Sequence, residues 1–371
     1  MIEARKQKNG FIKNATVRLL AVELLFLWGT HSLVLEASAT KQDPSARLYG
    51  GLMACEGAID LGDASLPTAG LGGLYLDLLH THPELFHVAL RLTYGYIEVE
   101  GVRTVTEVYP VYTLSGGELA EARALYENTV QAILSDMDFA FGARIPSEAE
   151  TVLYLHDHLA DRYTYDTRPE AEANADAYRF FRDRKGICQA YALAFLALCG
   201  EAGINAHLVV SDAMDHAWNH VQVGGAWYHV DVTRDDPIPH AAGEEEVNHH
   251  RLLRSDGGMV SLGYHGFSCS VDHTCTDTRF EVSERGALGN YSAALIPRGD
   301  GWLGMDPSGG VTGIQFSESG VSVSQPGDAN RDGAIDPLDL LAVYDPTLPE
   351  GWRTWMRRRL ITHAQSPTEL P

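Results

Sequence analysis

The segment from residue 186 to residue 237 constrains this chain more than any other. Ile187, Tyr191, Ala194, Phe195 and Leu198 fall at i, i+4, i+7, i+8 and i+11, one face of an α-helix, within a stretch that is apolar almost throughout. Such a helix has to be buried, and Gly200 and Gly203 end it. Strand patterns follow at 204–210, 217–223 and 226–233, the last two separated only by Gly224-Gly225, a two-residue hairpin signal. Asp235-Asp236-Pro237 stops the third strand. A buried helix laid on an antiparallel hairpin is an α+β arrangement.

Elsewhere the periodicity predicts helices over 71–82, 116–139, 148–162 and 171–181 and a strand over 88–99. Gly72 and Gly73 weaken the start of the first helix. Residues 238–290 are irregular and rich in His, and 291–325 are rich in Gly and Ser with short alternation, either a small β-element or a linker. The chain has 371 residues, enough for about two domains. Its net charge of −22 leaves no bulk positive charge for phosphates, so neither nucleic acid nor an anionic membrane surface is an expected partner. Five cysteines are too few for a disulfide scaffold, and an odd number leaves at least one thiol over.

The first 18 residues carry Arg5, Lys6, Lys8, Lys13 and Arg18 against Glu3 alone. An apolar stretch over 19–28 follows, broken by Glu23, then Ala37-Ser38-Ala39. This is the order of a secretory signal peptide cleaved after Ala39. The expected organisation is a signal at 1–39, an N-terminal α/β region at 40–145, a core at 146–290, the Gly/Ser-rich stretch at 291–325 and a separate Asp-rich tail at 326–371. A secreted, extracellular protein follows, with no stable membrane insertion once the signal is removed.

Cys188 lies in the first turn of the buried helix, where the helix dipole and the nearby Lys185 favour a thiolate. Cys199, 11 residues on, sits at the wrong end of that dipole and reads as an ordinary core residue. With Gly224-Gly225 as the loop, paired residue numbers across the hairpin sum to 449. One sheet face then carries His216, Trp218, His220, Trp227, His229 and Asp231; the other carries Asn219, Val221, Val223, Tyr228, Val230 and Val232. His216 and His220 are both diagonal neighbours of Asp231, and parity does not choose between them. Thiolate, imidazole and carboxylate together make a nucleophile, a base and an orienting group.

The text Gly186-Ile-Cys188-Gln-Ala-Tyr191, then His216-Ala-Trp218-Asn219, then Trp227-Tyr-His-Val-Asp231-Val-Thr233 resembles the transglutaminase-like superfamily. The resemblance implies a papain-like core with Cys188 as nucleophile, His216 as base and Asp231 as orienting group. Gln189 and Trp218 are the side chains it offers for an oxyanion or cleft role, beside the Cys188 backbone N–H. Upstream Leu155-His156-Asp157 and Tyr165-Asp166, and downstream Arg254-Ser255-Asp256 and His273-Thr-Cys275-Thr-Asp277, are similar to bacterial secreted members. Ala190 replaces an expected Gly, and Arg234 an expected Trp that would line the cleft.

His265, Cys269, His273 and Cys275 are spaced four, four and two apart, which fits no familiar zinc pattern. Loop packing or a Cys269–Cys275 disulfide is the reading preferred from spacing, with Cys55 as another possible partner. In the tail, Asp328, Asn330, Asp332, Asp336 and Asp339 place oxygens at positions 1, 3, 5, 9 and 12 of a loop with Gly333 at position 6 and the Ala334 carbonyl at position 7. These are hard ligands at calcium spacing. Asp rather than Glu at position 12 resembles a single dockerin repeat, which implies a small α-helical module and a cohesin-bearing scaffold as partner.

The expected protein is thus a secreted cysteine enzyme that cleaves or transfers amide bonds of proteins or peptides through a thioester. Ca2+ is expected in the tail loop, and no organic cofactor. The alternative is a catalytically inactive domain of the same fold that serves as a binding module of a cellulosome-like complex.

Overall fold

The computed structural model describes residues 2–6, 43–62, 66–168, 175–236, 247–271, 273–281, 295–298, 300–305, 311–317 and 319–323. The chain divides into two compact units, Met1–Leu78 with His87–Ser115, and Leu79–Phe86 with Gly116–Pro371.

In the first unit, β1 (Ile2–Lys6) is followed by α1 (Pro44–Met53), β2 (Ile59–Asp60), α2 (Thr68–Thr81, whose last turn passes into the second unit), β3 (Val88–Val99) and β4 (Val102–Tyr112). Asp43 caps α1 and Pro44 opens it, the residues suited to those places. The sheet order is β1-β3-β4-β2, with β1 parallel to β3. β1 falls in the charged part of the expected signal peptide; the apolar stretch and the cleavage site lie outside the described residues.

The second unit begins with a 3-10 turn at Pro83–Leu85 and continues through α3 (Gly116–Phe141), α4 (Glu148–Arg162), β5 (Thr164–Tyr165), α5 (Ala177–Asp183), β6 (Lys185–Gly186) and α6 (Cys188–Glu201). Then come β7 (Ala206–Ser211), β8 (His216–Val223), β9 (Ala226–Val230), α7 (Val232–Asp235), α8 (Asp256–Ser261) and β10 (Ser268–Cys269). α3 belongs here, rather than with the N-terminal region expected to run to residue 145, because Val130, Ile133, Met137 and Phe141 pack into this core. Ser147 and Glu150 form a capping box that starts α4 where the sequence places it. Asp176 caps α5, so that helix starts later than the expected residue 171.

β10, β7, β8 and β9 form an antiparallel sheet in that order. α6 packs on it, with Tyr191, Ala194, Phe195 and Leu198 buried together with Val221, Val223, Tyr228 and Val230 of β8 and β9. The Gly/Ser-rich stretch is not a plain linker. It contains β11 (Ile296–Arg298), β12 (Gly301–Met305), β13 (Val311–Ser317) and β14 (Gly320–Val323), an antiparallel sheet docked on the same core through Trp302 and Ile314. The indole N–H of Trp302 donates to Glu150 Oε1 at 3.0 Å. Among the described residues no helix is long and apolar enough to cross a membrane.

Candidate functional site

The hairpin of β8 and β9 runs in the expected register: Val223 pairs with Ala226, His220 with His229 and Asn219 with Val230. The ladder then stops at Val230, one residue short of Asp231. The expected pairings of Trp218 with Asp231 and of His216 with Thr233 are therefore absent. Asp231 leaves the strand to cap α7, its Oδ1 accepting the Arg234 N–H at 3.1 Å. A capping aspartate is a better terminator than a strand residue here, because it satisfies an exposed N–H of the turn.

Asp231 is fully buried, and its second oxygen accepts from His216 Nε2 at 2.6 Å and from the Tyr264 hydroxyl. His216 also forms a hydrogen bond with Cys188. Since Nε2 faces the carboxylate, Nδ1 is the nitrogen left for the thiol. Cys188 opens α6 and is partly exposed, whereas Cys199 is fully buried and burial pushes its thiol up. The structure thus brings Cys188, His216 and Asp231 together. It also separates the two candidate histidines: His220 faces His229 and His273 instead.

Burial alone would lower the His216 value, but the Asp231 charge and hydrogen bond outweigh it and, with the Cys188 contact, raise it to about 9. Burial works against the Asp231 carboxylate as well. The His216 charge, the bonds from His216 and Tyr264 and the Arg234 N–H overcome that and hold it below the usual range.

A second tier fixes the turn that carries Asp231. Asp235 of α7 accepts His156 Nε2 at 3.3 Å and the Arg251 N–H at 2.9 Å. His156 Nδ1 lies 2.8 Å from Asp157 Oδ1, which also meets His249 Nε2 at 2.9 Å. His156 is raised to about 9 between its two carboxylates, against its own burial, and Asp157 is lowered to about 2. Tyr191 of α6 donates to Asp236. α6, α4 and the α7 turn are thereby braced as one polar cluster.

Trp218 is buried, stacked on His216 with centroids 5.5 Å apart, and its N–H donates to His229 Nδ1 at 2.8 Å. It backs the imidazole and has no free donor for an oxyanion. Gln189, in the first turn of α6, is half-buried. Arg234 places its guanidinium 4.7 Å from the Tyr264 ring centre, so the expected change of cleft wall is a cation–π contact onto the tyrosine that holds Asp231. Tyr264 was not foreseen: it stands 33 residues past Asp231 in irregular chain with no periodic signal.

All five thiols are free, so the Cys269–Cys275 disulfide is not formed. His265 contacts the Gly263 carbonyl. Among the described residues, the groups with metal-ligand donors are His220, His229, Asp256 and Cys275; His220, Cys269 and His273; and His156, Asp157 and His249. The calcium-loop residues Asp328, Asn330, Asp332, Ala334, Asp336 and Asp339 lie outside the described residues.

Residues 139–232 match the transglutaminase-like superfamily. No curated protein matches the chain. Similar solved structures include a transglutaminase (12% identity, TM-score 0.27), with 39% of this chain and 52% of that one covered. Another is a candidate cysteine protease from Cytophaga hutchinsonii (18% identity, TM-score 0.24, 36% and 52% covered). A third is a candidate protease from Parabacteroides distasonis (13% identity, TM-score 0.22, 38% and 39% covered). The chain spans about half the length of the first two and less of the third. Cys188, His216 and Asp231 all fall inside the matched segment, and residues 139–232 form a transglutaminase-like domain.

Proposed function

We propose that this chain is a cysteine enzyme that acts on amide bonds of proteins or peptides. The observation that carries this reading is the contiguous chain from Cys188 to His216 to buried Asp231. In the proposed reaction the Cys188 thiol passes its proton to His216, the sulfur attacks the amide carbon, and the carbonyl oxygen takes up negative charge. Ile187, the cap residue of α6, offers no side-chain acceptor, so no cap competes for the first N–H groups of the helix, which suit an oxyanion. Protonated His216 gives its proton to the departing amine, and the C–N bond breaks to leave a thioester on Cys188. His216, now neutral, takes a proton from water or from an acceptor amine. Attack by that nucleophile breaks the C–S bond and releases acid or a new amide, and His216 returns its proton to the sulfur to restore the thiol.

The same reading has the chain exported and tethered, its Asp-rich tail holding Ca2+ and docking on a cohesin-bearing scaffold. The donor spacing of Asp328 to Asp339 supports this.

The reaction is tested by a panel of peptide amides with and without added amines. Mass spectrometry should find a hydroxylamine-sensitive acyl adduct on Cys188, and Cys188→Ala should remove it together with turnover. Turnover retained by Cys188→Ala would reject the reading. For the tail, calorimetry on the full chain should show Ca2+ binding that Asp328→Ala with Asp332→Ala abolishes.

A further inference from the structure

Behind Trp218, on the same sheet face as His216, lies a second cluster of reactive side chains. His220 and His229 are paired directly across β8 and β9, their rings 4.2 Å apart and nearly perpendicular. Asp256, at the start of α8, sets Oδ1 2.8 Å from His229 Nε2. Asp256 and Cys275 are locked together: the Asp256 N–H donates to the Cys275 carbonyl at 2.7 Å, and the Cys275 N–H donates to Asp256 Oδ2 at 3.1 Å. One ligand atom from each of His220, His229, Asp256 and Cys275 lies within 4.8 Å of all the others, and all but Asp256 are buried.

The imidazole protons that suit the other contacts leave one lone pair in this cluster without a donor of its own. His229 Nδ1 accepts the Trp218 N–H, so in the neutral ring Nε2 carries the proton and gives it to Asp256. His220 Nε2 lies 3.0 Å from that occupied Nδ1 and 3.3 Å from Nε2. As a donor it competes with Trp218 for one lone pair. As an acceptor it meets an N–H already aimed at Asp256. With its proton on Nδ1, His220 turns the Nε2 lone pair toward His229, Asp256 and Cys275, where a cation can take it up.

We propose that His220, His229, Asp256 and Cys275 bind a Zn2+ ion, with His273 as the outer partner that orients His220. Two imidazoles, a carboxylate and a thiolate are a four-coordinate set suited to zinc rather than to calcium or magnesium. Two anions balance the two charges of the ion, which a buried site requires. His220 Nδ1 lies 2.7 Å from His273 Nε2 and so leaves Nε2 for the metal, the usual arrangement of a ligating histidine. On binding, the Cys275 S–H bond breaks, its proton goes to solvent and sulfur bonds zinc. With His229 Nε2 on the metal its proton sits on Nδ1, and Trp218 gives up that contact. With four protein ligands the site has no open position. Its role is structural: it ties the β8–β9 hairpin to α8 and to the chain around residue 275.

The test uses the full chain, stripped with a chelator and titrated with Co2+. One ion per chain should give the strong visible bands of tetrahedral cobalt and an ultraviolet thiolate-to-metal band. Cys275→Ser should remove the thiolate band, Cys269→Ser should keep it, and His273→Ala should weaken binding about 10- to 100-fold. X-ray absorption of the zinc-loaded wild type should find one sulfur among the donors, a result that needs no variant to fold. A weak six-coordinate cobalt spectrum, as an all-oxygen site gives, with no tetrahedral bands would overturn the proposal. So would a zinc shell without sulfur, or a thiolate band that survives Cys275→Ser. None of these readouts depends on amide turnover, so the site and the proposed enzyme stand or fall separately.

Discussion

The Tyr264 hydroxyl donates to Asp231 Oδ2, the same oxygen that His216 Nε2 approaches to 2.6 Å. Tyr264 is buried, and its ring also packs edge-on against Trp218 at 5.1 Å. In the proposed reaction it is a positioning residue, acting on His216 through the carboxylate. Tyr264→Phe keeps the ring and removes one donor from a buried anion, at a cost of about 1–3 kcal/mol. Denaturant unfolding should show that loss. The remaining interaction of Asp231 is then concentrated on His216, so the alkaline limit of activity should move up, a shift that a merely structural role would not cause.

The alkaline limit itself follows from His216. Its value is raised to about 9 in the folded chain from an ordinary 6.5. A raised value means that the charged pair with Asp231 contributes fully below about pH 6.5 and is lost as pH rises through about 9. Above that point the proposed reaction has no proton on His216 for the leaving amine. Turnover against pH should fall with a midpoint near 9, and Asp231→Asn should bring that midpoint down toward 6.5. An unchanged limb in Asp231→Asn would uncouple the two residues.

The hairpin was legible because a two-residue glycine loop and strict alternation leave one register, and a slip by one residue would turn the apolar face of Val221, Val223, Tyr228 and Val230 away from α6. The start of α4 was legible because Ser147 and Glu150 write it into the sequence. The end of β9 was not, since Asp231 reads equally well as a last strand residue or as a cap until the turn after it is seen. Tyr264 and Cys275 reach the sheet from irregular chain and Asp256 from the start of the short helix α8, where no period marks which side chain points inward. The four metal ligands proposed here combine two neighbours on a hairpin with two distant residues, so spacing along the chain could not reveal them.

His158 provides a test of stability in acid. It is buried on α4, and burial together with Arg162 and Arg184 lowers its value to about 3. The unfolded chain takes up this proton near pH 6.5 and the folded chain does not. Stability should therefore decline from about pH 6.5 toward pH 3, this group contributing about 1.4 kcal/mol per pH unit at most. Urea unfolding at a series of pH values should show a shallower acid limb in His158→Phe. An identical slope in the variant would place the proton uptake elsewhere.

Gly186 sets where Cys188 stands. It pairs with Tyr165 in the short β5–β6 ladder, two residues before α6 begins. A Cβ built on it would come within 2.7 Å of the Ala190 Cβ and 2.8 Å of Phe180 Cδ2, a ring carbon held in a stack with Tyr163. Neither neighbour is the free end of a flexible side chain, so the backbone of β6 or the first turn of α6 must move. Overpacking of this kind costs about 1–3 kcal/mol. If Cys188 is the nucleophile, as proposed, displacing it by about 1 Å can cost a further 100-fold in rate. Gly186→Ala should therefore remain folded with a lowered Tm while its turnover drops far more than that of Ala190→Gly, a change that relieves space in the same turn. Equal turnover in the two variants would show that the close approach at Gly186 does not govern the position of Cys188.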